Sequence, residues 1–313
     1  MIVTLTMNPA LDKTAFLDRL QPHALNRLQR TVQDIGGKGI NVSRTVAALG
    51  GQSVACGLLA GATGDHLAAV LAQTPGIEAD FLHLEEGETR TNLKIVEPGG
   101  ALTELNETGP QASPAALQAL REKLLQRAAP GAWFVLAGSV GPGVPWDFYA
   151  DLTAQLHARG AKVFVDADGD LFAAAVQAKP DCIKPNAYEL SQYFGLDHIA
   201  TDAELLTLGR ELTGCGVGAV CISMGASGAC LISAEGAWQA PALPVPVASS
   251  VGAGDAMVGA LTFALHRGDG MEQAFRLAMA ASAAAVTTHG TRPPQRAQVE
   301  QLIARVALRR VEG

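Results

Sequence analysis

The feature that most constrains the fold of this chain is the regular alternation of short apolar runs with helical patterns along its 313 residues. Apolar runs bounded by turn residues are typical of buried strands, and apolar residues at three- and four-residue spacing are typical of helices. The predicted strands are Ile2–Met7, Ser53–Leu59, Trp133–Ala137, Lys162–Asp166, Cys182–Lys184, Ala219–Met224 and Ala229–Ser233. The predicted helices are Ile40–Leu49, Asp65–Gln73, Pro114–Arg127, Pro145–Arg159, Leu171–Val176, Ala187–Phe194, Asp202–Thr213, Ala256–Arg267 and Met271–Thr287. This order predicts an α/β fold in which helices cover both faces of a mostly parallel sheet and ligands bind at the carboxyl ends of its strands.

Two segments, Thr14–Val32 and Thr89–Leu105, interrupt this alternation. Polar and apolar residues alternate within them, as in "TNLKIVEP", which is typical of strands with one exposed face. We therefore expect a second, small sheet that covers the main one.

Composition excludes several classes of protein. The net charge is −7, and the longest basic run is the "LRR" that ends at Arg310, so a nucleic-acid partner is not expected. The longest apolar run, Leu277–Val286, is too short to span a bilayer, and the first residues lack the pattern of a signal peptide, so no membrane partner is expected. The five cysteines form no C-x-x-C pair and favour reduced, buried thiols in a cytoplasmic protein.

The glycine-rich stretch "SSVGAGDAMVGA", residues 249–260, precedes a predicted helix. It lacks the third glycine of the dinucleotide fingerprint, and the Gly37–Lys38 pair lacks the spacing of a Walker A loop. What remains is a turn whose amides, those of Gly252, Ala253 and Gly254, open onto the positive end of a helix that begins near Ala256. Such a turn is suited to bind an anion.

Asp255 is the acidic residue of this turn. At a helix N-terminus the dipole and the neighbouring amides hold a carboxylate ionised, so that it can accept a proton from a hydroxyl beside a bound phosphoryl group. An aspartate that only caps the helix would give the same pattern, and by itself the motif leaves both interpretations open.

Three further motifs carry polar residues suited to a phosphate, a metal or a sugar. "GGKGINVSRTVAALG" places Lys38 at a second glycine turn and Asn41 in the first turn of the following helix, although a solvated lysine would fit as well. "KPNAYE" places Asn186 and Glu189 three residues apart, either to orient Mg²⁺ or as an ordinary capping box. "TMNPALD" ends in Asp12, which can accept hydrogen bonds from sugar hydroxyls or simply stabilise a turn.

Taken together, these motifs resemble those of the PfkB sugar-kinase family of the ribokinase fold. "GGKGINVSRTVAALGG" is similar to the first signature of the family and "SSVGAGDAMVGA" to the second, with "KPNxxE" between them, and the resemblance covers essentially the whole chain. "TLTMNPALD", "TRTNLKI", "TELNETGP" and "AGSVGPGV" resemble segments of its 1-phosphofructokinase branch and of the neighbouring tagatose-6-phosphate kinases. Minor 6-phosphofructokinases are also close, but they typically carry glycine where this chain has Lys38.

The resemblance implies one ribokinase-like domain over residues 1–313, with a β-sheet lid formed by about 13–34 and 89–106 that also joins a homodimer. It implies ATP and Mg²⁺ as cofactors and the phosphorylation of fructose 1-phosphate to fructose 1,6-bisphosphate, with Asp255 as base and an anion hole formed by Gly252, Ala253 and Gly254. The implied sugar-phosphate residues are Asp12, Gly37, Lys38, Asn41, Arg90, Asn92, Ser139 and Asp255, with Lys38 and Arg90 on the existing phosphate. The implied ATP residues are Lys184, Asn186, Ser223, Gly225, Gly228, Ser250, Val251, Gly252, Ala253 and Gly254, and the implied metal residues are Asn186 and Glu189.

The chain departs from the family pattern at three places. Ala256 stands where a serine is common, "DADGD" at 166–170 adds negative charge beside the expected nucleotide edge, and "GSVGPG" alters a loop while keeping Ser139. The alternatives are tagatose-6-phosphate or 6-phosphofructokinase activity, a non-catalytic sensor of the same ligands, and a dehydrogenase of similar architecture, which the failed dinucleotide fingerprint disfavours.

Overall fold

The computed structural model describes residues 1–99, 101–288 and 290–311. The strands are β1 Ile2–Thr6, β2 Ala10–Phe16, β3 Arg30–Gly36, β4 Ser53–Ala60, β5 Ile77–Ala79, β6 Leu82–Leu84, β7 Arg90–Val96, β8 Leu102–Asn106, β9 Trp133–Ala137, β10 Lys162–Asp166, β11 Cys182–Ile183, β12 Ala219–Ser223, β13 Ala229–Ser233, β14 Gly236–Ala240 and β15 Arg309–Arg310. The helices are α1 Lys38–Ala48, α2 Gly61–Ala72, α3 Pro114–Gln126, α4 Phe148–His157, α5 Gly169–Gln177, α6 Ala187–Tyr193, α7 Asp202–Gly214, α8 Ala253–Arg267, α9 Met271–Ala285 and α10 Arg296–Ile303.

The main sheet has the strand order β15-β14-β13-β12-β11-β10-β9-β1-β4-β5, and β6 also pairs with β4. Strands from β12 to β5 are parallel, whereas β12 to β15 form an antiparallel edge. The chain passes from β1 to β4 on one side and later returns to β9 on the other. Strand order therefore reverses at β1, and the carboxyl end of this strand is the expected place for a ligand site.

Helices cover both faces of the main sheet. Helices α1, α8 and α9 pack together on one face, and α3, α4, α5 and α7 contribute to the apolar core on the other. All five residues of β1, all five of β9 and all eight of β4 are buried, as expected for parallel strands covered on both sides. The predicted α/β architecture is confirmed.

The four strands of the small sheet are ordered β3-β2-β7-β8, and β2 and β7 are parallel to each other. In register, Asp12 lies opposite both Asn92 and Asp34, and Lys94 lies opposite Glu104. Because side chains alternate between the faces of a strand, one face of this sheet is rich in polar and charged groups. The expected second sheet is confirmed, and we call it the lid.

The sequence patterns missed β5, β6, β14, β15 and α10, and placed the starts of four helices too late. The structure starts α1 at Lys38, α2 at Gly61, α5 at Gly169 and α8 at Ala253, each at or beside a glycine. Glycine is a poor helix former, so a propensity-based prediction starts each helix after the glycines. The packing of these turns against the sheet overrides that preference.

Cysteine burial was predicted for most but not all positions. Cys56, Cys182, Cys221 and Cys230 are buried and free, whereas Cys215, just after α7, is exposed, so the prediction of burial is wrong for this residue. Across the described ranges, no helix is long and apolar enough to cross a membrane.

Candidate active site

A cavity of about 320 Å³ lies between the lid and the carboxyl ends of β1 and β9. Ten residues predicted for the site line it: Asp12, Gly37, Lys38, Asn41, Arg90, Asn92, Ser139, Val251, Gly252 and Asp255. They come from five separate parts of the chain, which the reversal of strand order at β1 brings together.

Gly252 caps α8 with φ of 84°, and the helix begins at Ala253. This left-handed conformation favours glycine. The amides of Gly252, Ala253 and Gly254 donate no hydrogen bond to any residue that the structure describes, since the first amide of this segment with an intrahelical acceptor is that of Ala256. The turn therefore presents free N–H groups at the positive end of a 15-residue helix.

Asp255 is the third residue of α8, so it does not cap the helix. Its carboxylate is buried, and the Nδ2 group of Asn41 donates a hydrogen bond of 2.8 Å to its Oδ2 atom. Burial and then the charge of Asp166 raise the pKa of Asp255 to about 6, against the opposing effects of Asn41, Lys38 and Lys184. The sequence predicts that the dipole and the neighbouring amides hold this group ionised; burial instead moves its pKa upward, towards the range in which a general base works near neutral pH.

Asp166 anchors two lysines beneath the glycine turn. Its Oδ1 atom lies 3.3 Å from Nζ of Lys38 and 3.4 Å from Nζ of Lys184. Burial alone would raise the pKa of Asp166, but Lys184 and Lys38 outweigh it and leave the pKa lowered. A Cβ atom on Gly254 would lie 3.3 Å from Nζ of Lys184, so this ammonium group is adjacent to the free amides.

Lys38 is held among carboxylates. Burial lowers its pKa, but Asp166, Asp255 and Glu189 together raise it above the usual value, so the ammonium group stays charged. Asp166, the first residue of "DADGD", balances the charges of Lys38 and Lys184, and Asp168, which carries part of the extra negative charge of this segment, lines the cavity.

Asp12 lies within β2 and not in a turn, contrary to the sequence interpretation. Its Oδ1 atom accepts a 3.0 Å hydrogen bond from Asn92, and its Oδ2 atom lies 3.3 Å from Nζ of Lys94. Arg90 donates from Nε to the carbonyl oxygen of Asn8 at 3.2 Å. These contacts fix the polar face of the lid above the cavity.

Asn186 and Glu189 form a capping box at the start of α6, with hydrogen bonds of 2.8 Å in both directions. Within the part of the chain that the structure describes, no cluster of three or more His, Cys, Asp or Glu side chains is placed to hold a metal ion alone. Glu189 is nevertheless close enough to influence the pKa of Lys38. This arrangement fits Mg²⁺, which usually takes one or two protein carboxylates and completes its shell with phosphate oxygens and water.

The remaining predicted nucleotide residues are not among those that line the cavity. Ser223 ends β12 and forms a parallel bridge with Asn186, and Gly225 and Gly228 lie in and after the short 3₁₀ turn that follows. Ser250 is exposed in the segment before Gly252. Ser223 thus lies at the carboxyl end of a strand that is three places from β9 in the main sheet.

Several buried polar atoms of the cavity have no hydrogen-bond partner among the residues that the structure describes. They are Oγ1 of Thr6, Oδ1 of Asn8, Oδ1 of Asn41, Oδ1 of Asn92 and Oγ1 of Thr291. Buried polar groups are nearly always paired in folded proteins, and leaving one unpaired costs about 1–3 kcal/mol. Their concentration in one cavity indicates that a polar ligand supplies the missing partners.

Sequence reasoning missed nine residues that line this cavity: Thr6, Asn8, Lys94, Glu104, Asn106, Ala137, Gly138, Asp168 and Thr291. Lys94 was detectable, because it follows Arg90 and Asn92 at the two-residue spacing of one strand face. Thr291 lies more than 190 residues from Asn92 in the chain, and no local pattern links it to the site.

Comparison with known proteins agrees with this geometry. The model of the family described as "pfkB family carbohydrate kinase" matches residues 5–298. A 1-phosphofructokinase of Rhodobacter capsulatus is 37% identical over 301 residues, which are 94% of each chain. The crystal structure of phosphofructokinase-2 from Escherichia coli in complex with potassium superposes with a TM-score of 0.91 and 31% identity over 97% of this chain and 98% of the other. A ribokinase from Thermotoga maritima shares the fold, with a TM-score of 0.80 and 19% identity over 97% of this chain and 99% of the other.

Proposed function

Since this chain belongs to the pfkB family of carbohydrate kinases, we propose that it transfers the γ-phosphoryl group of ATP to the 6-hydroxyl group of fructose 1-phosphate, giving fructose 1,6-bisphosphate and ADP. The observation that carries the proposal is the position of Asp255, buried in the first turn of α8 beside three free amides and hydrogen-bonded to Asn41. A proton acceptor and an anion site are thereby adjacent.

Asp255 is the general base. The substrate hydroxyl oxygen attacks the γ-phosphorus in line with the leaving ADP oxygen, the bond from phosphorus to ADP breaks, and the hydroxyl proton passes to the carboxylate of Asp255. Phosphoryl transfer has a loose transition state that needs positioning and charge neutralisation more than covalent catalysis. A buried base with a pKa of about 6 is largely ionised at neutral pH and can still accept a proton.

The amides of Gly252, Ala253 and Gly254 stabilise the negative charge of the phosphoryl group in transfer. Lys184 supports this charge from below, since its ammonium group is adjacent to Gly254. These groups are fixed before substrate binds, so little reorganisation is needed at the moment of transfer.

The nucleotide extends from the carboxyl end of β12 towards the glycine turn. The residues along this path are Ser223, Gly225, Gly228, Ser250 and Val251. Glu189, with Asn186, would hold Mg²⁺ near the ATP phosphates, where the ion neutralises phosphate charge. The closeness of Glu189 to Lys38 supports this assignment.

The test is a coupled assay of ADP release with fructose 1-phosphate, tagatose 6-phosphate and fructose 6-phosphate, compared by kcat/KM. We expect fructose 1-phosphate to be preferred. Preference for a 6-phosphate would retain the fold and mechanism but move the substrate, and no turnover of any of the three would indicate a non-catalytic sensor.

Asp255→Asn keeps the size of the side chain and removes the base. We expect kcat to fall by about 10²- to 10⁴-fold while ATP binding is retained and stability is not lowered. The matched control is Asp151→Asn, the same change in the first turn of α4 at an exposed position, which should leave kcat unchanged. Near-normal turnover by Asp255→Asn would refute the assignment of the base.

We further propose that two copies of this chain associate through the lid. Exposed leucines of the lid and of the connection between β2 and β3 support this: Leu25, Leu28, Leu102 and Leu105 are 77%, 46%, 51% and 55% exposed. Light scattering of the wild-type chain should give the mass of a dimer, and Leu105→Glu should shift it towards the monomer. A cytoplasmic location follows from the proposed use of ATP.

A further inference from the structure

Arg44 lies on α1, one helical turn after Asn41, and its side chain is half-buried. Residues three apart on a helix are neighbours on its surface. Asn41 binds Asp255 from this surface, whereas Arg44 is not among the residues that line the active-site cavity. The contacts of Arg44 are instead with the protein backbone.

The Nη1 group of Arg44 donates hydrogen bonds to two backbone carbonyl oxygens, that of Ile35 at 3.2 Å and that of Thr291 at 3.3 Å. The two acceptors lie 9 and 247 positions from Arg44 in the chain. The donors of an arginine are fixed on a rigid, planar group, so one guanidinium group can hold two acceptors in a defined geometry. Arg44 thereby ties together two segments that are remote in sequence.

Both segments lead directly into the active site. Ile35 precedes the first glycine turn, Gly36–Gly37, which lines the cavity through its second residue. Thr291 lines the cavity itself and lies against the second glycine turn, since a Cβ atom added to Gly252 would be 3.6 Å from the Cα atom of Thr291. One guanidinium group therefore connects the backbone beside the first turn with the backbone beside the second.

A second polar contact joins the same two segments more weakly. The Nε atom of Arg292 lies 3.8 Å from Oδ1 of Asp34. The side chain of Arg292 is 58% exposed, and an exposed ion pair contributes little because water competes for both charges. The half-buried hydrogen bonds of Arg44 are therefore the stronger of these two connections.

The separation of the two turns matters for the reaction. Under the proposed function, on which this inference rests, the sugar phosphate occupies the cavity that both turns line, and the γ-phosphoryl group lies at the amides of the second turn. In-line attack requires the reacting atoms to be held about 3–3.5 Å apart. We propose that Arg44 is a positioning residue for phosphoryl transfer, which keeps the two glycine turns at the separation that in-line attack requires.

The test compares Arg44→Ala with the wild type and with Arg276→Ala in the full-length chain. Arg276 is the matched control, because its Nη1 group also donates to a backbone carbonyl oxygen, that of Val306 at 2.7 Å, and it too is not among the residues that line the active-site cavity. ADP release gives kcat and KM, and denaturant unfolding shows that each variant is folded. We expect Arg44→Ala to lower kcat by about 10- to 100-fold and to leave KM for fructose 1-phosphate within about three-fold, because the ligand contacts remain while the reacting atoms are misplaced. Arg276→Ala should leave kcat unchanged.

Chemical rescue separates positioning by the guanidinium group from a general loss of packing. Arg44 lines a second cavity, of about 440 Å³, between the end of α9 and the start of α10, through which a small cation can enter. Guanidinium chloride, at concentrations far below those that unfold proteins, should therefore restore part of kcat in Arg44→Ala and leave Arg276→Ala unaffected. Methylammonium chloride should restore less, because its ion lacks the planar arrangement of donors.

Hydrogen exchange without substrates gives a readout that does not depend on turnover. The segments that carry Ile35 and Thr291 should both exchange faster in Arg44→Ala and not in Arg276→Ala, because the contact that holds them is lost only in the first variant. Unchanged kcat, unchanged exchange, or a loss of kcat that guanidinium does not restore would overturn the inference. If the wild-type chain turns over none of the three sugar phosphates, the proposed function fails, and hydrogen exchange still decides whether Arg44 holds the two turns.

Discussion

Asn41→Ala should move the pH dependence of catalysis in a defined direction. The substitution removes the 2.8 Å hydrogen bond from Asn41 Nδ2 to Asp255 Oδ2, which favours the ionised carboxylate. Without it, burial and the charge of Asp166 are opposed only by Lys38 and Lys184. The pKa of Asp255 must then rise above its present value of about 6.

The size of the shift follows from the energy of the lost contact. A hydrogen bond to a charged group contributes about 1.5–3 kcal/mol, and about 1.4 kcal/mol corresponds to one pKa unit. Water entering the space left by the side chain recovers part of this, so we expect a shift of about one unit. The pKa would then be near 7, and about half of the base would be protonated and inactive at pH 7.

The assay is kcat/KM for the sugar phosphate between pH 5 and 9, because this ratio reports the ionisation of the free enzyme. For the wild type, activity should be lost as pH falls through about 6, since Asp255 acts only when deprotonated. For Asn41→Ala, the same loss should occur about one pH unit higher. The value of kcat/KM at high pH can differ between the two proteins for other reasons. The acid limb, the pH range over which kcat/KM falls as pH is lowered, does not depend on that value. An unchanged acid limb would refute the assignment of Asp255 as the titrating base.

Three further predictions test the same arrangement. Asp166→Asn removes the second largest cause of the raised pKa of Asp255, so the acid limb of kcat/KM should move below about 6, opposite to the shift in Asn41→Ala. Burial and Asp166 raise the pKa of Asp255 above 3.8, so the folded state binds the proton more tightly than the unfolded chain, and the free energy of unfolding falls as pH rises from about 4 to 6. In denaturant unfolding at pH 7.5, Asp255→Asn should therefore be more stable than the wild type by up to about 3 kcal/mol. A less stable variant would contradict this. Gly252→Ala and Gly268→Ala place alanine at φ of 84° and 92° at the two ends of α8, and each should cost about 1–2 kcal/mol in thermal unfolding, but only Gly252→Ala should also lower kcat.

Local patterns predicted most of the main sheet, because parallel strands covered on both faces are short, continuous apolar runs. The parallel strands Trp133–Ala137 and Lys162–Asp166 agree with the structure to the residue, and so does the buried antiparallel strand Ala229–Ser233. The missed elements are those with weak patterns: Ile77–Ala79 and Leu82–Leu84 have three residues each, too few for periodicity to be visible.

The chain sequence by itself determined the order of strands and helices, the family, and the glycine turns with Asp255, Lys38 and Asn41, because these depend on residues adjacent in the chain. Only the tertiary structure decided the electrostatics of the site. Asp166 meets Lys38 across 128 positions, and Asn41 meets Asp255 across 214. A pKa depends on burial and on charges within a few ångströms, whatever their separation in sequence, so the raised pKa of Asp255 exists only once the fold has brought these residues together.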